Sequence, residues 1–236
     1  MTSDKQSALD RLLARGHRHR VPARETLISA DSHGEQLGYL LTGSLSVMVE
    51  SGDGQEMVVD YLYPGDFFGE SGVFDSARAG VSVVAKEASD VVLISAARFR
   101  AHCLEDPESL FEVTAQLSRR LRKASRKAAR STFLDVTSRI AYALLDLARQ
   151  PDARRGLSGM EVRISKQELA RLVGCSREMA SRAVKELETR GLIAVSGRNI
   201  VLLSRFSHAR DADDTAFGAD DSLVVFPING DEETPQ

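Results

Sequence analysis

The chain has 236 residues, enough for one large or two ordinary domains, and its 42% hydrophobic and 28% charged residues are a globular balance that excludes a low-complexity or disordered polymer. Two cysteines, Cys103 and Cys175, exclude a disulfide framework and a cysteine-built metal cluster. No apolar leader and no run of about 18 apolar residues is present, so a reducing cytoplasm and no membrane partner are expected.

Residues 20–100 read as short strands separated by turns. Residues 44–50 alternate, with Leu45, Val47 and Val49 on one face. Asp53-Gly54 is a hairpin signal, residues 57–63 form the return strand, and Pro64-Gly65-Asp66 is the next turn. Residues 81–85 and 90–94 are two further β-rich runs, and strands at this spacing predict an antiparallel sandwich or roll.

After Pro107 the period changes. Leu110, Thr114, Leu117, Leu121, Ala124, Ala128 and Ser131 recur at steps of 4, 3, 4, 3, 4 and 3, a heptad seam along one helix. The seam fits helix-to-helix dimerisation, and packing on the chain's own domain is the competing account. Arg119, Arg120, Arg122, Lys123, Arg126, Lys127 and Arg130 crowd the same helix, as a solvated face or as an anion site. Asp135 caps a helix over residues 136–149 with Ile140, Leu144 and Leu147 inward, and residues 151–160 read as a loop.

Ser165 and Glu168 form the capping box of the next helix. Gly174-Cys175-Ser176 then breaks it, and a second helix starts at Ser176, the helix-turn-helix pattern. Ala170 is small where the helices approach, and Val173, Ala183, Val184 and Leu187 are expected between them. Residues on the opening turns of such a helix reach furthest into a major groove. Arg177 and Arg182 suit guanine O6 and N7, and Glu178 suits cytosine N4. Ser176, Ser181 and Lys166 complete the candidate DNA contacts. Residues 191–195 and 199–203 flank Ser196-Gly197-Arg198, a hairpin that fits a wing beside the groove. A surface helix carrying Arg and Glu for solubility is the alternative for this stretch. From Arg205 onward eight acids stand against two bases, a net −6 that leaves residues 1–204 at +3 within the overall −3. Residues 223–228 are the one apolar run in this acidic tail.

This order of roll, long basic helix, Phe133-Leu134-Asp135 hinge and helix-turn-helix resembles the cyclic-AMP receptor protein (catabolite activator) branch of the CRP/FNR family of bacterial transcription regulators. The resemblance covers about residues 15–203 and is most specific at Gly65-Asp66-Phe67-Phe68-Gly69-Glu70, Phe133-Leu134-Asp135-Val136-Thr137, Gln150-Pro151-Asp152-Ala153 and Val173-Gly174-Cys175-Ser176-Arg177-Glu178. It implies an α+β chain: an antiparallel β-roll of cyclic-nucleotide-binding type (1–106), a long dimerisation helix (107–134), a winged helix-turn-helix (135–204) and an acidic tail (205–236). It further implies a homodimer through Leu110, Leu117, Leu121, Ala124 and Ala128, with a hinge at Phe133 and Asp135. The DNA partner implied is a palindromic TGTGA-like duplex, and His17, His19 and Arg98 match a patch that touches RNA polymerase. Read alone, His17 and His19 supply only half a metal site, and no metal is expected.

In the family a Gly-Glu pair and a downstream Arg-Ser pair cradle a cyclic phosphate. Gly69 and Glu70 are present, but counting back from Val83-Val84-Ala85 puts Ala79 and Gly80 where the family has Arg-Ser. Arg78 is one residue away, and a one-residue offset on a strand reverses the face unless a bulge restores it. On the long helix the family's Thr-Ser pair is Ala124-Ser125. Gly69, Glu70, Ser125 and Arg78 are therefore the candidate effector residues, and Ala79 and Ala124 weaken the expectation of cyclic AMP. The readings left open are weak or altered cyclic AMP binding, another effector such as a cyclic dinucleotide, and activity without ligand. Two cysteines cannot hold an iron–sulfur cluster. A cyclic-nucleotide module of an enzyme is disfavoured, because no segment is long enough for a catalytic domain. An architectural DNA protein without a pocket is the remaining rival.

Overall fold

A computed structural model describes residues 2–33, 35–52, 54–75, 78–203 and 206. Asp53 and the acidic tail beyond Phe206 lie outside the described residues. The chain divides into two compact units, Met1–Ala129 and Arg130–Gln236.

The first unit holds α1 (Thr2–Leu13), β1 (His17–Val21), β2 (Thr26–Ile28), β3 (Gln36–Thr42), β4 (Leu45–Glu50), β5 (Glu56–Leu62), β6 (Phe67–Phe68), α2 (Glu70–Phe74), β7 (Ser82–Ala85), β8 (Ser89–Ser95) and α3 (Ala96–Glu105). The long helix α4 (Glu108–Phe133) begins here. Two antiparallel sheets, ordered β1-β8-β3-β6 and β2-β7-β4-β5, face each other. Val21, Leu40, Phe68 and Val91 of the first meet Leu45, Leu62, Val83 and Ala85 of the second. The next residues along the first sheet, Leu37, Phe67, Val92 and Ile94, turn to the other face and pack on Leu12, Phe99 and Val113 of the helices. Burial on both faces is why β8 reads as an unbroken apolar run rather than an alternating one. The alternation of residues 44–50 is interrupted at Val47/Met48, where pairing with β5 shifts register. Helices α1 and α3 were not among the sequence expectations. The hydroxyl of the α3 N-cap, Ser95, accepts from the Arg98 amide.

The second unit holds α5 (Val136–Ala148), β9 (Arg154–Arg155), β10 (Gly159–Arg163), α6 (Lys166–Val173), α7 (Arg177–Thr189), β11 (Ile193–Ser196) and β12 (Asn199–Leu203). Its sheet runs β11-β12-β10-β9. The expected loop over 151–160 is corrected here: β9 and the start of β10 lie within it, and β10 pairs with β12 along its whole length. Asp135 caps α5 as expected, its carboxylate accepting from the Ser138 amide at 2.7 Å. Ile140, Leu144, Leu169, Ala180, Ala183, Val184 and Leu187 form the buried core, whereas Val173 is only half-buried. The unit starts before Phe133 because the Arg130 guanidinium already belongs to it. That group meets Asp146 at 3.1 Å and lies 4.0 Å from the Tyr142 ring. Among the described residues no helix is long and apolar enough to cross a membrane.

Candidate functional site

The turn after β5 is stitched to α4 by one buried glutamine. Gln116 accepts from the Phe67 amide at 2.6 Å and donates to the Gly65 carbonyl at 3.2 Å and to Asp66 at 2.9 Å. Burial raises the Asp66 carboxyl above its ordinary range, against the lowering pull of the Tyr63 amide and Arg120. One turn along α4, Arg120 donates to Glu70 at 3.2 Å and to the Phe67 carbonyl. Gly69 at the start of α2 has φ 79°, and a Cβ there would meet the Gln36 carbonyl at 2.5 Å, so glycine is required.

These elements enclose a cavity of about 210 Å³, below the ~300–1,000 Å³ usual for ligand pockets. Gly69, Glu70, Asp60, Ala79 and Arg120 line it together with apolar residues of β2, β4, β5 and β7. Arg120 is the one cation among the described lining residues, and its pair with Glu70 is only about one-fifth exposed. Gly69 and Glu70 thus both line the cavity. Arg78 does not: it pairs with Asp31 at 3.3 Å and is 67% exposed. The Ala79 amide donates to the Ser32 carbonyl and the Gly80 amide, in the left-handed region at φ 67°, to the Ala30 carbonyl, both at 3.0 Å, and this irregular turn leaves the Arg78 side chain outward. Ser125 is exposed and spends its hydroxyl on the Leu121 carbonyl at 2.9 Å.

The sequence reading missed Arg120 as a cavity residue. Ser109, Val113, Gln116, Arg120, Lys123 and Lys127 step along α4 by 4, 3, 4, 3 and 4, but only Val113 among them is apolar, so the sequence carries no inward signal there. This is a second stripe beside the seam, and it faces the roll. Lys123 meets Asp60 at 2.5 Å and Lys127 donates to the Val58 carbonyl at 2.9 Å. The crowd of bases is therefore neither one solvated face nor one anion site. Leu110, Leu121, Ala124 and Ala128 of the seam are exposed in this chain, Leu121 at 69%, while Leu117 is half-buried against the roll.

In the second unit the capping box is complete: Ser165 donates to Glu168 from its amide at 2.9 Å and accepts from the Glu168 amide at 3.1 Å. Gly174 ends α6 at φ 70°, and the Ser176 hydroxyl caps α7 by accepting from the Met179 amide at 3.2 Å. Arg177, Glu178 and Arg182 then stand exposed on α7, bound to no described residue, with Ser181 half-buried between them and Lys166 exposed on α6. Arg198 at the hairpin turn, which the sequence did not mark as a partner, donates to Glu168 at 3.0 Å and ties the wing to α6. On the first unit His17 and His19 are exposed along β1, and Arg98 lies 3.1 Å from the His17 ring.

Residues 18–106 match the cyclic nucleotide-binding domain and residues 138–206 the Crp-like helix-turn-helix domain. The chain is 44% identical over 202 residues to the cAMP-activated global transcriptional regulator Vfr of Pseudomonas aeruginosa, across 84% of this chain and 94% of that protein. It is 42% identical over 195 residues to the cAMP-activated global transcriptional regulator CRP of Pasteurella multocida, across 82% of this chain and 93% of that one. Among solved structures it is similar to CLP, described as the c-di-GMP responsive global regulator linking cell-cell signaling to virulence gene expression in Xanthomonas campestris. The TM-score is 0.78 at 38% identity, over 84% of this chain and 99% of that one. Two family matches that together span the roll and the helix-turn-helix, with identity above 40% along most of the chain, make it a member of the CRP/FNR family of DNA-binding transcription regulators, a family without enzymatic activity.

Proposed function

We propose that the chain forms a homodimer through the α4 seam and reads a palindromic TGTGA-like duplex with Arg177, Glu178 and Arg182. Ser176, Ser181 and Lys166 hold the DNA backbone. A small anionic effector at the cavity beside Gly69 and Glu70 controls DNA affinity, Phe133 and Asp135 form the hinge that transmits it, and His17, His19 and Arg98 meet RNA polymerase. Cyclic AMP is a weak ligand of this cavity. The observation that carries this reading is Ala79 in the cavity wall with Arg78 turned away to Asp31. Among the described lining residues a phosphate brought in here finds one cation, Arg120, already committed to Glu70 and the Phe67 carbonyl. Burying an anion without its own counter-charge costs several kcal/mol, on the order of about 3–5 for an unpaired ion.

A second reading is a cyclic-dinucleotide response. It is favoured by the likeness to CLP, whose description names c-di-GMP, together with the missing phosphate arginine. Calorimetric titration with cyclic AMP, cyclic GMP and cyclic di-GMP, each followed by a DNA-affinity measurement, separates the two. Tight cyclic AMP binding refutes the weak-ligand reading. Cyclic di-GMP binding that shifts DNA affinity selects the second. DNA affinity unmoved by all three nucleotides refutes the cyclic-dinucleotide reading and leaves a regulator that needs no cyclic nucleotide.

A further inference from the structure

Residues 207–236 carry Asp211, Asp213, Asp214, Asp220, Asp221, Asp231, Glu232 and Glu233 against a single base, Arg210, a net −7. We infer that this acidic tail docks on the exposed basic face of α7 and lowers the chain's affinity for all DNA, an inference that rests on the DNA-binding reading above.

The exit point and the length of the segment make the contact reachable. The Leu203 amide at the end of β12 donates to the Leu192 carbonyl at 3.0 Å, and the Leu192 amide to the Leu187 carbonyl at 3.1 Å. Strand β12 therefore ends beside the C-terminal end of α7, and Phe206, 3% exposed, lies in the same unit. From Thr189 back to Arg177 is about 18 Å along the helix. Asp211, Asp213 and Asp214 follow Phe206 by five, seven and eight residues, a reach of up to ~17–28 Å in an extended chain.

The charges are complementary. The Arg177 and Arg182 side chains are exposed and bound to no described residue, Lys185 is exposed one turn beyond Arg182, Lys166 is exposed on α6, and Glu178 is the one carboxylate among them, leaving an excess of three positive charges. A carboxylate offers the guanidinium fork the same two-oxygen edge as a DNA phosphate. Tethering supplies an effective concentration on the order of ~1 mM, so a contact of only about 0.1 mM intrinsic affinity lowers DNA affinity by about tenfold. An intrachain competitor lowers specific and random binding by the same factor. It also leaves fewer counterions to release when DNA displaces it, so the full chain shows the shallower salt dependence.

The test compares the full chain, a chain ending at Phe206, and a full-length variant with all eight acids changed to their amides. Fluorescence anisotropy on a TGTGA-type palindrome and on random duplex is expected to show about tenfold tighter binding for both altered forms at low salt. The gain should be equal on the two duplexes and should shrink as salt rises. Carbodiimide, which joins a docked carboxylate to an amine, is expected to link Lys166 or Lys185 to tail acids in the full chain, and duplex DNA should abolish the link. If the shortened chain fails to fold, the amide variant carries the comparison. A gain below twofold in a folded variant overturns the inference, as do links only to lysines of the first unit. Failure of every form to bind any duplex overturns the DNA reading, and this inference with it. Equal binding by all forms overturns the tail contact alone.

Discussion

Ala79→Arg is the substitution that decides whether the cavity has lost its phosphate partner. In the wild type, Arg78 could serve only by swinging inward. That sacrifices the pair with Asp31, in which the two side chains are 67% and 88% exposed; such a pair is worth at most about 1 kcal/mol. It also breaks the amide bonds from Ala79 to Ser32 and from Gly80 to Ala30, each worth about 0.5–1.5 kcal/mol. The swing therefore costs about 1–4 kcal/mol, and one charge-assisted bond to a phosphate returns about 1.5–3 kcal/mol. The two nearly cancel, so wild type gains little from Arg78. An arginine at position 79 makes the same bond without disturbing the turn, and about 1.5–3 kcal/mol is a gain of about ten- to a hundredfold. Titration calorimetry with cyclic AMP on wild type, Ala79→Arg and Arg78→Ala should show tighter binding in the first variant and no change in the second. Micromolar binding by wild type that Arg78→Ala abolishes would refute the reasoning, because the register of this turn would then differ in the bound state.

Leu121→Glu places facing charges in the exposed seam and should give a folded monomer by sedimentation; a persistent dimer would move the interface elsewhere. Arg177→Ala should cost about 1–3 kcal/mol on a site with G·C at the contacted pair and relax the preference there, measured by competition binding. Equal loss on random duplex would leave Arg177 a phosphate contact only. Burial pushes the Glu168 carboxyl up, but hydrogen bonds from the Ser165 hydroxyl and amide and from Arg198 outweigh it and hold the group below its ordinary 4.5. Its contribution to stability is full above that value and is lost as pH falls through the lower folded value. Acid unfolding of Glu168→Gln should therefore lack part of the wild-type loss in that window, and identical pH profiles would remove Glu168 from the balance.

The helix-turn-helix was legible because its signals are local. The Ser165/Glu168 box, the left-handed Gly174 and the Ser176 cap each act within a few residues, so spacing alone locates both helices. The place of Ala79 beside the cavity was legible only in part: β7 pairs with β4 without a register shift from Ser82 to Ala85, but residues 79–81 lie before that strand, where a count along it no longer fixes the face. β9 and the start of β10 were hidden because Arg154, Arg155, Gly159 and Met160 read as loop residues, and only pairing with a strand about forty residues later makes β10 a strand.

The cavity was only half legible, and the reason lies in α4. A helix that serves one partner shows one stripe, and the large apolar residues of α4's seam are Leu110, Leu117 and Leu121. The stripe one residue away, Ser109, Val113, Gln116, Arg120, Lys123 and Lys127, holds the roll with polar groups, so it reads as surface. Gln116 is nonetheless 7% exposed, because its three hydrogen bonds satisfy the amide and replace water at the Gly65-Asp66-Phe67 turn. No property of Gln116 or Arg120 alone marks them as inward; the turn some fifty residues earlier supplies their partners. The consequence is mechanical. The same helix carries the seam on one side and the Arg120–Glu70 pair on the next. An effector that displaces Arg120 from Glu70 therefore acts on the element that the proposed dimer shares, without any intervening chain of contacts.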